Sequence, residues 1–225
     1  MVHALKYLTS TNEFGISFNS NSSSTIQAFN HFPHLHNKEA YIEATAPSPS
    51  EYHQLTAFCD ACWGSQFGSA VIEINPIELF KIFSLYDFLI FRSGGSIVWE
   101  SIRQNQTALS SCESEIMVTN QCTTELQSLK HRVNDIEITE TYDRTKIYNN
   151  NKAAVRWAAS VTSKGIKRLN LIENMVREFH QSKDVDVEHI PVIISPSDIF
   201  IKEMKDDTHF RNLRDSMMIS LQASS

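Results

Sequence analysis

The sequence lacks the features of membrane and secreted proteins. None of its apolar runs approaches the roughly 20 residues that are needed to span a bilayer. The first residues, from Met1 to Lys6, lack the long apolar core of a signal peptide. With only four cysteines in 225 residues and no secretory signal, free thiols in a reducing compartment are expected. We therefore expect an intracellular protein, in the cytoplasm or the nucleus, with no membrane partner.

A general excess of basic residues is also missing. The net charge of −6 argues mildly against nucleic-acid binding, but it hides a local imbalance, because the segment 144–168 contains no Asp or Glu. Its basic residues are Arg144, Lys146, Lys152, Arg156, Lys164, Lys167 and Arg168. Such a stripe can follow the phosphates of a nucleic acid. It can equally be a solvated helical face, balanced by the acidic run Asp135, Glu137, Glu140 and Asp143.

The composition that is present, 41% hydrophobic and 20% charged, is that of an ordinary globular protein. The chain has room for one sizeable domain and an extension. Residues 19–52 are rich in Ser, Asn, His and Pro, which is typical of a linker. We therefore divide the chain into an N-terminal segment, residues 1–52, and a main domain, residues 53–225.

The main domain alternates between strand and helix patterns. Leu55 to Asp60 is predicted as a strand, and Ser93-Gly94-Gly95 as the turn of a hairpin between strands 88–92 and 96–100. A long helix is predicted from Ser110, with Ser110 or Ser111 as its N-cap. Then follow a strand at 146–148, helices at 152–160 and 169–181, a strand at 185–190 and a helical region from 198 to about 218. This order predicts an α/β domain in which helices cover a mixed sheet.

Three acidic residues lie where separate elements could bring them together. Asp60 ends a strand, Glu115 follows a helix start and Asp198 opens the last helical region. Carboxylates gathered in this way can hold two divalent cations for phosphodiester cleavage. Each also has an ordinary structural explanation, since an aspartate after a strand often forms a turn and Asp198 is a good N-cap. Glu113 competes with Glu115, but the two point about 200° apart on a helix, and Glu115 shares the apolar stripe.

Several motifs, in order along the chain, resemble one family. Asp60-Ala61-Cys62-Trp63 resembles the first motif of the ribonuclease H domain of copia-type retrotransposon polyproteins. The segment 110–115 resembles that family's Ser-Ser-x-Glu-x-Glu motif, and 197–202 its Ala-Asp-Ile-Phe-Thr-Lys motif. The segment 93–99 is similar to the hairpin between them. Residues 5–15 are similar to the end of the reverse transcriptase that precedes the domain.

The resemblance implies a ribonuclease H-like fold, a mixed five-stranded sheet flanked by helices. It also implies hydrolysis of the RNA strand of RNA–DNA hybrids with two Mg2+ ions, or Mn2+ in their place. Asp60, Glu115 and Asp198 match the family's metal-binding carboxylates. The remaining ligand in the family is the Asp of Asp-Asn-x-x-Ala, a position that matches Asn150 here. An amide at that position would weaken metal binding, since losing even an outer partner of a metal ligand typically costs roughly 10–100-fold.

The resemblance leaves two functions open. The chain is either a ribonuclease H-type endonuclease that Asn150 impairs, or a catalytically silent nucleic-acid-binding relic of a transposable element. In both, the hybrid backbone would be contacted by Lys152, Arg156, Lys164, Lys167 and Arg168, which would make the affinity salt-dependent. Residues 1–52 would be the tail of the reverse transcriptase and a connecting segment. The reverse transcriptase domain of the parent polyprotein would then be a partner.

Overall fold

A computed structural model of the chain describes residues 14–16, 55–63, 84–106, 108–136, 144–160, 171–201, 204 and 206–220. The predicted linker 19–52 lies outside the described residues. So do three of the predicted nucleic-acid-binding residues, Lys164, Lys167 and Arg168.

The centre of the domain is a five-stranded sheet. In chain order, its strands are β2 (Thr56–Cys62), β3 (Leu85–Arg92), β4 (Gly95–Arg103), β5 (Thr145–Asn149) and β6 (Val185–His189). Their spatial order is β4-β3-β2-β5-β6. Strands β2, β3 and β4 are antiparallel neighbours, whereas β5 runs parallel to both β2 and β6. The sheet is therefore mixed, as predicted.

Two short strands form a separate pair. Strand β1 (Phe14–Gly15) pairs antiparallel with β7 (Ile219–Ser220). The guanidinium of Arg214 lies 4.2 Å from the centre of the Phe14 ring, a favourable cation–π distance. Residues 14 and 15, from the predicted N-terminal segment, thus contact the C-terminal end of the chain.

The hairpin predicted at Ser93-Gly94-Gly95 is confirmed. Ser93 and Gly94 both have positive φ, at 50° and 79°. A two-residue turn with positive φ at both positions matches the right-handed twist of the two strands that it joins. Glycine takes this conformation without a steric cost, and serine accepts it less readily.

Helices cover one face of the sheet. They are α1 (Ser111–Ile136), α2 (Lys152–Ala159) and α3 (Leu171–Gln181). The buried stripe of α1, with Val118, Cys122 and Leu126, packs against side chains of β2 and β5 such as Ala57 and Ile147. The predicted mixed five-stranded sheet flanked by helices is therefore confirmed.

The other face of the sheet carries a smaller core. Phe58 stacks on Tyr148 with ring centres 5.1 Å apart and meets Phe91 edge-on at 5.6 Å. Leu89, Ile190 and Ile194 complete the buried part of this cluster. Ile194 belongs to a 3-10 turn, Val192–Ile194, which leads the chain toward the last acidic residue of the predicted site.

The closing helical region consists of two described helices, α4 (Asp198–Ile201) and α5 (Asp207–Met217), where the sequence predicted one continuous region. Helix α5 starts after Asp206 because the Asp206 side chain caps it, accepting hydrogen bonds from the backbone N–H groups of Thr208 and His209. Within the described ranges, no helix has both the length and the apolar character that a membrane span requires.

Candidate metal centre

Asp60 lies inside β2, near its end. The strand continues past Asp60 to Cys62, where the sequence predicted an end at Asp60, because Cys62 still pairs with Leu85 of β3. Asp60 is 2% exposed, and its Oδ1 accepts a hydrogen bond from the backbone N–H of Ala61 at 2.8 Å. The first acidic residue of the predicted site is therefore held in the buried centre of the sheet.

Glu115 reaches the same region from the first turn of α1. Ser110 caps this helix, since its Oγ accepts from the N–H of Glu113 at 3.1 Å. Glu113 turns back, and its Oε2 accepts from the N–H of Leu109 at 2.7 Å. Glu113 is therefore occupied at the helix end, while Glu115 is buried. The prediction that Glu115, and not Glu113, faces the sheet is confirmed.

A buried polar contact joins the start of α1 to the end of β4. The side-chain amide of Gln104 donates to the carbonyl oxygen of Ser114 at 3.0 Å, and the Ser114 hydroxyl donates to Gln104 Oε1 at 3.2 Å. Both side chains are buried, so loss of the Gln104 side chain would leave the Ser114 hydroxyl without this acceptor, and loss of the Ser114 hydroxyl would leave Gln104 Oε1 without this donor. This pair positions the helix one residue before Glu115.

Asp198 is supplied from the other end of the chain. It is buried at the first position of α4, and this short helix contacts β2 and β3. The turn before it is tightened by a hydrogen bond between the hydroxyls of Ser195 and Ser197 at 2.8 Å. The N–H of Asp198 donates to the carbonyl of Ser195 at 3.2 Å. Three elements distant in sequence thus bring Asp60, Glu115 and Asp198 to one region.

The end of β5 carries two amides next to this region. Asn149 is fully buried, and its Nδ2 lies 3.0 Å from Glu115 Oε2 and 3.2 Å from Thr119 Oγ1. Its Oδ1 accepts from the N–H of Asn151 at 2.7 Å. Asn150, the predicted position, follows the strand and is partly exposed. The amide that contacts Glu115 is therefore that of Asn149, one residue before the predicted position.

Burial and neighbouring charge shift the titration of Glu115. Removal from water, followed by the charge of Asp60, raises the pKa of Glu115 to about 9. A side-chain hydrogen bond with Asp60 acts in the same direction, whereas the bond from Asn149 opposes it. At neutral pH Glu115 is therefore protonated when no cation is bound, and it shares a hydrogen bond with Asp60.

A fourth buried carboxyl, Asp87, was not predicted from the sequence. It lies directly opposite Asp60 in the β2–β3 pair and is 0% exposed. Burial, and then the charges of Asp60, Cys59, Asp198 and Glu115 in that order, raise the pKa of Asp87 to about 10. Neither carboxyl oxygen has a hydrogen-bond partner among the described residues. The available signal was an acid inside the otherwise apolar run of β3, since buried acids are rare unless paired.

The chemistry of these side chains suits a hard divalent cation, which prefers carboxylate oxygens. Within the described ranges, no three His, Cys, Asp or Glu side chains are already arranged as a metal site. Neither buried carboxyl oxygen of Asp87 has a hydrogen-bond partner among the described residues, so a cation bound beside it would stabilise its charged form.

The predicted basic stripe is only partly available to a ligand. Arg144 pairs with Asp186 at 3.1 Å, and Lys146 pairs with Glu188 at 3.0 Å, so strand β6 neutralises both. Lys152 and Arg156 are exposed on α2, four residues apart and hence on one face of the helix. Helix α2 begins two residues after Asn150, which places these two cations on the element next to the carboxyl cluster.

No known family model matches the sequence. Among solved structures, the RNase H1 LC11 in complex with an RNA/DNA hybrid matches 61% of this chain and 86% of its own, at 13% identity and a TM-score of 0.43. RNase H1 from the archaeon Halobacterium salinarum matches 61% of this chain and 86% of its own, at 9% identity and a TM-score of 0.41. The N-terminal RNase H domain of rv2228c from Mycobacterium tuberculosis matches 72% and 99%, at 8% identity and a TM-score of 0.40.

These identities and TM-scores are too low to assign this chain a family or a function. The predicted architecture, a mixed five-stranded sheet flanked by helices, is confirmed by the strand order and the helices. The function of the carboxyl cluster depends on the arrangement of its own side chains.

Proposed function

We propose that this chain is a ribonuclease H-type endonuclease from a copia-type retrotransposon polyprotein. It would hydrolyse the RNA strand of RNA–DNA hybrids with two Mg2+ ions, or with Mn2+ in their place. The observation that carries the proposal is the burial of Asp60, Glu115 and Asp198 in one region, each delivered by a different element. Carboxyl oxygens that separate elements bring into one region are the donors that a hard divalent cation prefers.

Asp60, Glu115 and Asp198 would hold the cations. Divalent ions bound there would supply an activated water and a stabilised leaving oxygen. Glu115 must first lose its proton, so loading with metal releases a proton and improves as the pH rises. Asn149 holds Glu115 in place during this exchange through its hydrogen bond at 3.0 Å.

Activity would be weak because no carboxylate follows β5. The family resemblance puts an Asp where Asn150 stands, and the neighbouring position, Asn149, is also an amide. An amide offers a neutral carbonyl oxygen where a carboxylate offers an anion, and the negative charge that holds the two ions together is reduced. A weakened metal site then lowers the rate at ordinary Mg2+ concentrations.

The hybrid would be bound through the exposed cations of α2. Lys152 and Arg156 are exposed on one face of this helix, next to the end of β5. Lys164, Lys167 and Arg168, which lie outside the described residues, would extend the contact along the phosphates. Binding by such side chains releases counterions, so the affinity would fall steeply with salt.

The reverse transcriptase domain of the parent polyprotein would be the protein partner. Residues 1–52 would contain the end of that domain and a connecting segment, which the similarity of residues 5–15 to the end of a reverse transcriptase supports. In this arrangement the polymerase makes the hybrid, and the ribonuclease H-type domain removes its RNA strand.

A second candidate is a catalytically silent module that binds hybrids without cutting them. The pair of amides at positions 149 and 150 favours it, because neither can replace an anionic ligand. The two candidates differ in their use of metal. The enzyme needs Mg2+ for turnover, whereas the silent module binds the hybrid equally well in EDTA.

Cleavage of an RNA–DNA hybrid labelled on its RNA strand tests the proposal. The natural chain, Asp60→Asn and the control Glu113→Gln would be compared in Mg2+ and in EDTA. Slow cleavage by the natural chain and the control, in Mg2+ only, with none by Asp60→Asn, is the expected result. Binding without cleavage, unaffected by EDTA, would establish the silent module instead. Equal cleavage by Asp60→Asn would refute the assigned centre.

A further inference from the structure

We propose that Asp87 is an additional cation-binding residue of the carboxyl cluster, which supplies from β3 the anionic oxygen that is missing at the end of β5. This inference rests on the proposed function, because it assigns a further residue to the same metal centre. It adds to the three carboxylates predicted from the sequence a fourth one that no motif indicated.

The register of the sheet places Asp87 within reach of the centre. Asp60 and Asp87 are direct partners in the antiparallel β2–β3 pair. Side chains of directly opposed residues project from the same face of a sheet, with Cβ atoms about 4.5–5.5 Å apart. The charges of Asp198 and Glu115 also act on Asp87, which places all four carboxyls in one neighbourhood.

The burial of Asp87 has no structural explanation among the described residues. The side chain is 0% exposed, and neither of its oxygens has a hydrogen-bond partner there. An ordinary buried acid is paired with a base or accepts hydrogen bonds, because the alternative costs stability. An acid that lacks both, directly opposite another acid, is explained by a ligand that carries positive charge.

The type of ligand follows from the donor atoms. Carboxyl oxygens are hard donors, so Mg2+ or Mn2+ suits a cluster of four carboxyls best. Asp87 restores the number of carboxylates to four, since Asp60, Glu115 and Asp198 supply only three and position 150 is an amide. Asp87 thus adds negative charge from the strand on the opposite side of β2, which compensates only in part for the amide at the end of β5.

Calorimetric titration with Mn2+ of the folded full-length chain tests this assignment without any measurement of activity. The natural chain would be compared with Asp87→Asn, with Asp60→Asn and with Glu113→Gln. Gln at position 113 can keep the hydrogen bond to the N–H of Leu109, so this control removes a nearby acid without disturbing the helix start. We expect Asp87→Asn to lower the Mn2+ affinity at least tenfold, and Glu113→Gln to leave it within twofold.

Thermal unfolding in EDTA separates this role from a structural one. Asp87→Asn should be at least as stable as the natural chain, because it removes a buried acid, but Mn2+ should raise its unfolding temperature by less.

Unchanged Mn2+ affinity in Asp87→Asn, together with lost Mn2+ affinity in Asp60→Asn, would overturn the role of Asp87 and leave the metal centre intact. Absence of Mn2+ binding by the natural chain would overturn the metal centre and this inference with it. Mn2+ binding that depends on Asp87, with no hybrid cleavage, would support the inference and refute the nuclease.

Discussion

Replacing Asn149 by Asp should destabilise the metal-free protein far more than the same change at Asn150. The Asn149 side chain is fully buried and its Nδ2 lies 3.0 Å from Glu115 and 3.2 Å from Thr119. Asp at position 149 loses the hydrogen bonds donated to Glu115 and Thr119, at about 1 kcal/mol each, and adds a buried acid whose unmet polar group costs about 1–3 kcal/mol more. The expected loss for Asn149→Asp is therefore about 3–5 kcal/mol. Asn150 is partly exposed, so the change there should stay within about 1 kcal/mol.

Urea unfolding in EDTA at pH 7, followed by tryptophan fluorescence, measures the difference. The two variants add the same charge one residue apart, so each is the matched control for the other. Adding 10 mM Mg2+ should stabilise Asn150→Asp by more than it stabilises the natural chain. The reasoning would be refuted if Asn150→Asp lost as much stability as Asn149→Asp. That outcome would mean that the side chain of Asn150, and not that of Asn149, faces the carboxyls.

Three further effects are expected. In EDTA the free energy of unfolding should fall as the pH rises from about 4.5 to about 9, by up to about 1.4 kcal/mol per pH unit for each of Glu115 and Asp87, as measured by urea unfolding. Changing Lys152 and Arg156 to Ala should reduce the slope of log affinity against log salt by about 1 for each contact, measured by fluorescence anisotropy on a labelled hybrid. Leu126→Ala, in the core of α1, should cost about 2–5 kcal/mol in calorimetric unfolding.

The direction of the pH effect follows from the raised pKa values. The folded protein keeps protons on Glu115 and Asp87 at pH values where the unfolded chain has released them. The stability that these protons contribute is therefore complete below the pKa of the unfolded chain, and it is lost as the pH rises to the pKa of the folded protein. Asp87→Asn should flatten the profile, and a profile that rises over this range would contradict the shifts. Lys146→Ala is the control for the salt slope, because Lys146 is already paired with Glu188 at 3.0 Å.

Local sequence signals predicted the elements of this fold well. The Ser-Gly-Gly turn specified its hairpin because a tight turn needs residues that accept positive φ. Ser110 marked the start of α1 because its hydroxyl could cap the first turn. Asp206 and Asp207 carried a similar signal for α5, but the prediction of a helical region from 198 to about 218 did not use it. Each of these features depends on neighbours in the sequence, which a single chain displays.

Contacts between distant strands were harder to predict. Asp87 pairs with Asp60 only because of the register between β2 and β3, and no local pattern fixes that register. The choice between Asn149 and Asn150 is of the same kind. A motif comparison selects Asn150, whereas the side chain that reaches Glu115 depends on where β5 ends and which way its last residue points. The role of Asn150 as the impaired ligand position therefore stays a prediction.

Single-turnover cleavage of an RNA–DNA hybrid by Asn150→Asp, beside the natural chain and Asp60→Asn, tests the central claim most directly. At a subsaturating Mg2+ concentration, Asn150→Asp should cut the RNA strand at least about tenfold faster than the natural chain, because it restores the anionic ligand. Asp60→Asn should not cut, and EDTA should stop all cleavage. If Asn150→Asp is folded, binds Mg2+ and still cuts no faster than the natural chain, the cluster is not a ribonuclease H-type centre weakened at position 150.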